Sequence, residues 1–155
     1  MRKLIVHEFV TLDGVMQAPG GKDEDRDGGF EYGGWTLPYW HDDIGKTFAA
    51  LMKDADAFLL GRRTYVTHAA AFEPMPAGDF FGDMMNAPKK YVVSKTLKKP
   101  TWRDTTIIRD NVIESVRALK ARKRVLPEGL HTTFGLTSAT PYPSGVVGLH
   151  YTRKR

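Results

Sequence analysis

The chain has 155 residues, 41% of them hydrophobic and 26% charged, with a net charge of +5 and no cysteine. That length supports one domain with a single core. The lack of cysteine excludes disulfides, thiolate nucleophiles and zinc–thiolate sites, and accords with a reducing cytoplasm. The N-terminus shows neither the apolar stretch nor the small-residue cleavage site of a signal peptide, and no run approaches the roughly 20 apolar residues that span a bilayer. A cytoplasmic protein with no membrane partner is therefore expected.

Residues Leu4 to Val10 are largely apolar and β-branched, which predicts a strand buried on both faces. Thr11-Leu12-Asp13-Gly14 closes it with turn chemistry. Residues 19–34 hold six glycines and a DEDRD run, with no periodic apolar face. They read as a mobile loop, either a functional lid or plain disorder. Asp42 or Asp43 caps a helix whose apolar face is Ile44, Phe48, Leu51, Met52 and Ala55. Ala57 to Leu60 is a short buried strand, and a second helix begins near Arg62.

Phe80 to Ala87 reads as a short helix, Tyr91 to Val93 as a strand and Thr105 to Ile108 as another. Asn111 and Glu114 match a capping box, opening a helix to about Lys120 with Val112, Val116 and Leu119 inside. His131 to Thr140 and Val146 to Tyr151 form strands joined by Pro141 to Gly145, an antiparallel hairpin. Strands alternating with helices and a closing hairpin predict an α/β fold with a mixed sheet flanked by helices. No repeat or linker divides it, so one domain over 1–155 is expected.

Charge is uneven along the chain. Residues 1–97 carry 11 basic and 14 acidic side chains, and residues 98–155 carry 12 and 4. The basic half is either a solvated surface or an anion-attracting one. Its few aromatics and the absence of a nucleic-acid motif argue against nucleic acid.

Gly61-Arg62-Arg63-Thr64 sits where a strand gives way to a helix. Free N–H groups and the positive dipole end favour an anion there. Glycine admits a phosphate to the backbone, and the arginines and the threonine hydroxyl add donors. The same letters also suit an ordinary strand–helix junction. Ser94-Lys95-Thr96 repeats the logic after the next strand, outside the carboxyl ends where sheet ligands bind, or else forms an exposed turn. Asp13 either donates or relays a proton or closes an Asx-turn. Trp35 and Trp40 either line the pocket of a flat heterocyclic substrate or pack a loop onto the core. The five histidines lack metal-ligand spacing, so no metal site is expected. No G-x-S-x-G context supports a hydrolase.

Taken in order, T-L-D-G (11–14), W-T-L-P-Y-W (35–40), D-A-F-L-L-G-R-R-T-Y (56–65), K-Y-V-V-S-K-T-L (90–97) and P-S-G-V-V-G-L-H-Y (143–151) resemble the dihydrofolate-reductase-like family. More narrowly, the chain is similar to the C-terminal reductase domain of the bacterial bifunctional deaminase-reductases of riboflavin biosynthesis and their stand-alone relatives. The resemblance implies NADPH as cofactor. It places Gly61, Arg62, Arg63 and Thr64 on cofactor phosphates, Ser94 and Lys95 at the adenosine end, and Thr11, Asp13 and Gly14 near the nicotinamide. It implies a small flat heterocyclic or conjugated carbonyl substrate and a homodimer; Val146, Val147, Leu149 and Tyr151 of the hairpin either offer the apolar surface for that pairing or finish the monomer core.

The sequence departs from that pattern in two places. Gly45 stands where a folate-binding carboxylate belongs, with Asp42 almost a turn earlier, so folate reduction is not expected. After Lys120 the family continues with a strand, a Gly-Ser-Gly-type turn, a helix and another strand. Here 121–126 lead straight into the hairpin region. Either the protein lacks this βαβ-sized segment or the sequence omits it; an omission is expected, seen as a backbone gap between Ala121 and Arg124. Two further readings remain, a non-catalytic nucleotide-binding module of the same fold and a basic interaction protein.

Overall fold

A computed structural model of the chain describes residues 4–53, 55–121 and 134–153. Its elements in order are α1 (Asp42–Lys53), β1 (Ala57–Gly61), α2 (Arg62–Phe72), α3 (Phe80–Asn86), β2 (Lys89–Val93), β3 (Thr105–Ile108), α4 (Val112–Ala121), β4 (Phe134–Pro141) and β5 (Val147–Arg153), with short 3-10 turns at Asp27–Gly29 and Leu37–Tyr39. This is the expected α/β architecture: a parallel sheet flanked by four helices, and an antiparallel hairpin at the end. Parallel and antiparallel pairing are divided between two sheets, β1-β2-β3 and β4-β5. By their contacts the described residues fall into two units, 48–121 with Leu4, and 5–47 with the hairpin.

In the first unit the register aligns Phe58 with Lys90 and Leu60 with Val92, and next Val92 with Ile107. Alternation then puts these side chains on one face of the sheet. Tyr65 and Ala69 of α2, Met85 of α3 and Trp102 pack with Val92 as the buried cluster, and Phe48, Met52, Phe58, Leu60, Phe72 and Ile107 close around it. Trp102 is the hub. Its ring stacks at 6.3 Å on both Phe58 and Phe72, contacts worth about 0.5–1.5 kcal/mol each beyond area burial. Its indole N–H donates to Asn86 Oδ1 at 2.5 Å, and Asn86 Nδ2 donates to the Phe72 carbonyl at 2.8 Å.

One charge lies inside this core. Lys90 is fully buried, donates from Nζ to the Asn86 carbonyl at 2.5 Å and stands 4.6 Å from the centre of the Trp102 ring. Burial lowers its pKa, against the opposing pull of Asp104 and Glu73. The helical stems follow local rules. Gly61 precedes α2 in an extended conformation, and the Asp79 carboxylate accepts from Gly82 N at 2.7 Å to cap α3.

In the second unit, residues 17–36 form a tied loop instead of the expected mobile one. Gly34 N donates to Ala18 O, Trp35 Nε1 to Gln17 O and Thr36 Oγ1 to Pro19 O at 2.8, 2.9 and 2.6 Å. Glu24 accepts from the Gly20 and Gly21 amides. The glycines let the backbone close on itself: a Cβ on Gly33 would lie 2.4 Å from the Lys22 carbonyl oxygen. Polar bonds thus supply the order that apolar periodicity does not.

Other expectations need correction. Leu4 to Val10 is not a strand and is mostly exposed, with Ile5 at 56% and Val6 at 78% of full exposure. Apolar, β-branched composition makes a strand only where a neighbour offers ladder partners, and no described strand pairs with this segment. Asp42 and Asp43 lie in the first turn of α1, not at its cap; the Asp43 amide donates to His41 Nδ1 at 3.2 Å. Ala55 lies beyond the end of α1. Asn111 precedes α4 with φ of 49°, the left-handed region, not the extended geometry a capping box uses.

In the hairpin, Leu136 pairs with Tyr151 and Ser138 with His150, so Thr137 is an extra residue in β4. This bulge restores register. Phe134, Leu136, Ala139 and Pro141 then share a face with Val147, Leu149 and Tyr151. The expected strand start at His131 and the expected gap between Ala121 and Arg124 lie outside the described residues.

Candidate anion site at the carboxyl edge of the parallel sheet

Parallel pairing brings three strand ends into line. Gly61 is the register partner of Val93, and Val93 of Ile108. The residues that follow, Arg62, Ser94 and Arg109, leave the sheet side by side, about 5 Å from strand to strand. Two helices start at this edge, α2 at Arg62 and α4 at Val112. Sequence reading placed Gly61 to Thr64 and Ser94-Lys95 at strand ends, and the structure makes those strands neighbours.

Nothing lies within 4 Å of a Cβ built on Gly61, so its backbone is open to an incoming group. No side chain caps α2, leaving its first amides to solvent or ligand. Arg62, Arg63, Thr64 and Lys95 are exposed, whereas Ser94 is buried at 8%. The Ser94 hydroxyl accepts from Thr96 N at 3.2 Å and Leu97 N at 2.9 Å, which folds the turn and presents Lys95 outward. Its own O–H remains a donor.

Arg109 was missed by the sequence reading. Its Nη1 donates to Lys95 O and its Nη2 to Lys98 O, both at 3.4 Å. The available signal was positional, since Arg109 follows β3 directly, as Arg62 follows β1. The edge is strongly cationic. The opposite end is held by ordinary pairing: Arg103 binds Glu73 at 3.0 Å, and this partnership and the Arg103 amide keep the Glu73 carboxyl below its usual range.

The T-L-D-G segment is a tight turn in the second unit. Gly14 N donates to Thr11 O at 3.0 Å and Val15 N to Thr11 Oγ1 at 2.8 Å, with Gly14 at φ of 90°, a conformation glycine adopts without strain. The Thr11 hydroxyl donates to Asp13 Oδ1 at 2.5 Å. That bond, and one to its own backbone amide, lower the Asp13 pKa.

A comparison with protein-family models matches residues 2–136 to the RibD C-terminal domain. The chain belongs to that family. Its fold is therefore dihydrofolate-reductase-like, of the riboflavin-biosynthesis deaminase-reductase type. A comparison with curated proteins found none that matches.

Within this RibD C-terminal domain, Trp35 is half-buried and staples the 17–36 loop through its indole N–H. Trp40 keeps 40% of its exposure, with its ring 6.2 Å from that of Phe9 and its edge 3.7 Å from the Cβ position of Gly45. Gly45 is buried there, and Asp42 is exposed in the first turn of α1. No described helix is long and apolar enough to cross a membrane.

Proposed function

We propose that this domain is an NADPH-dependent reductase of a small flat heterocyclic or conjugated carbonyl compound. The observation that carries the reading is the alignment of Gly61–Thr64 with Ser94-Lys95 on neighbouring strand ends. The side chains of Arg62 and Lys95 form no ion pair with a described residue. Uncompensated cations beside open helix amides suit a multiply charged phosphate ligand. In this reading Gly61, Arg62, Arg63 and Thr64 hold phosphates, and Ser94 and Lys95 hold the adenosine end. When bound, NADPH supplies the hydride, and the protein binds and orients. Thr11, Asp13 and Gly14 are proposed as nicotinamide contacts, and Trp35 and Trp40 as substrate contacts. Asp13, which accepts a hydrogen bond from the Thr11 hydroxyl, would donate or relay a proton.

A second reading is a nucleotide-binding module of the same fold without turnover, supported by the missing Gly-Ser-Gly-type turn. NADPH titration followed by turnover screening against conjugated carbonyl and heterocyclic compounds separates the two. Binding with oxidation of NADPH supports the reductase, binding without oxidation the module, and no binding refutes both.

A homodimer is proposed on separate grounds. Phe134, Leu136, Val147, Leu149 and Tyr151 are each at least half exposed on one face of the hairpin, and two strands alone are marginal in water. Light scattering at micromolar concentration is expected to give twice the chain mass; a monomer refutes the pairing.

A further inference from the structure

Strands of a parallel sheet that read as unbroken apolar runs are ordinarily buried on both faces. β1 is such a run, Ala57-Phe58-Leu59-Leu60-Gly61, with no polar or charged side chain. Yet none of its residues is buried, whereas Lys90 and Val92 of β2 and Ile108 of β3 are. Leu59 keeps 38% of its exposure. Among the described strands β1 pairs with β2 alone, so the backbone groups on its other side meet no ladder. An apolar edge of this kind, with no lysine, proline or bulge to blunt it, is a template for another strand. β3, the other outer strand, is shorter and half of it is threonine.

The same chain holds a strand without a sheet. Residues 4–10 have strand composition, belong to no described element, and leave Leu4, Ile5, Val6 and Val10 each more than half exposed. The segment is long enough to run the whole length of β1. Each element lacks what the other offers. Pairing them satisfies backbone donors and acceptors on both and takes apolar side chains of both out of water. Within one chain the two form no ladder. Two copies hold two such edges and two such segments, so a reciprocal exchange fills both and closes at a dimer, with neither left over to recruit a third copy.

We propose that the outer edge of β1 is a strand-docking surface for a second copy of this chain, and that residues 4–10 of that copy are the strand it takes. The surface is separate from the exposed face of the hairpin. The inference does not rest on the cofactor reading, and it stands or falls on the backbone of β1.

The test is residue-resolved amide exchange on the full chain at high and low protein concentration, for wild type, Val6→Pro and His7→Pro. Neighbouring residues of a strand turn their N–H groups to opposite sides, so one of the two prolines removes a ladder donor. Both positions lie outside the described helices and strands, and a thermal melt checks each variant. In the wild type the β1 amides that face away from β2 are expected to exchange slowly. Above the dissociation constant each tenfold dilution speeds them roughly threefold by mass action, and the amides of β2 do not respond. The proline that takes the ladder donor is expected to bring the outward amides of β1 to fast exchange at every concentration. Slow exchange that is unchanged on dilution overturns the proposal, because the edge is then covered within one chain. Fast exchange of the wild type at every concentration overturns it, because the edge is then bare. Dilution-sensitive protection that survives both prolines overturns it too, because another segment then makes the ladder.

Discussion

Replacing Tyr65 by phenylalanine removes one oxygen from the centre of the larger unit and leaves its shape unchanged. Tyr65 is fully buried, and its hydroxyl accepts from Thr101 N at 2.9 Å and Trp102 N at 2.8 Å. The two amides lose this acceptor unequally. Trp102 is 3% exposed, so its N–H is left unpaired in the core, at a cost of about 1–3 kcal/mol. Thr101 is exposed, so its amide turns to water, for roughly 1 kcal/mol or less. The sum is about 1–4 kcal/mol. For a chain of this size each kcal/mol lowers Tm by roughly 2–4 °C.

Denaturant unfolding measures the total, and amide hydrogen exchange assigns it. The Trp102 amide is expected to lose most of its protection, and the strand amides of β2 to lose only what the global destabilisation takes. A loss below about 0.5 kcal/mol, with the Trp102 amide still protected, refutes the reasoning. Those amides then do not depend on the tyrosine hydroxyl.

Lys90→Met tests the buried charge. The substitution is expected to be neutral or stabilising, as is common when a buried ion gives way to an apolar group of similar volume. Because burial depresses the Lys90 pKa, the unfolded state binds more protons between the lowered folded value and the ordinary 10.5. Wild-type stability should then gain with rising pH across that window relative to Lys90→Met; parallel pH profiles for the two proteins contradict it. Gly33→Ala forces a Cβ to within 2.4 Å of the Lys22 carbonyl oxygen, a backbone atom that cannot swing aside. The 17–36 loop should open and become a site of limited proteolysis, and wild-type resistance in the variant would count against the tied loop.

The βα part of the fold was legible because its signals are local. Apolar runs bounded by Gly61, Ser94 and Asn111 located β1, β2, β3, α4 and the start of α2 to within one or two residues. The hairpin turn was legible from Pro141 to Gly145. The first segment was not, because Leu4 to Val10 has strand composition but no ladder partner among the described strands, and sequence carries no statement about partners. The 17–36 loop was misread for the opposite reason. Its order comes from carbonyl and carboxylate acceptors at Gln17, Pro19 and Glu24, which leave no periodic trace. At the candidate site, Gly61–Thr64 and Ser94-Lys95 were found one by one, but only the register makes them neighbours. Arg109 needed the end of β3 to be known before its position meant anything.

The central claim is that two adjacent strand ends hold the phosphates of NADPH. The most direct measurement is equilibrium binding of NADPH and NADH to the wild type and to the double variant Arg62→Ala, Lys95→Ala. Each charge-assisted phosphate contact is worth about 1.5–3 kcal/mol, roughly tenfold or more in affinity. The account predicts that NADPH binding falls by a hundredfold or so while NADH binding falls much less. Equal losses for both cofactors, or a wild type that binds neither, would contradict it.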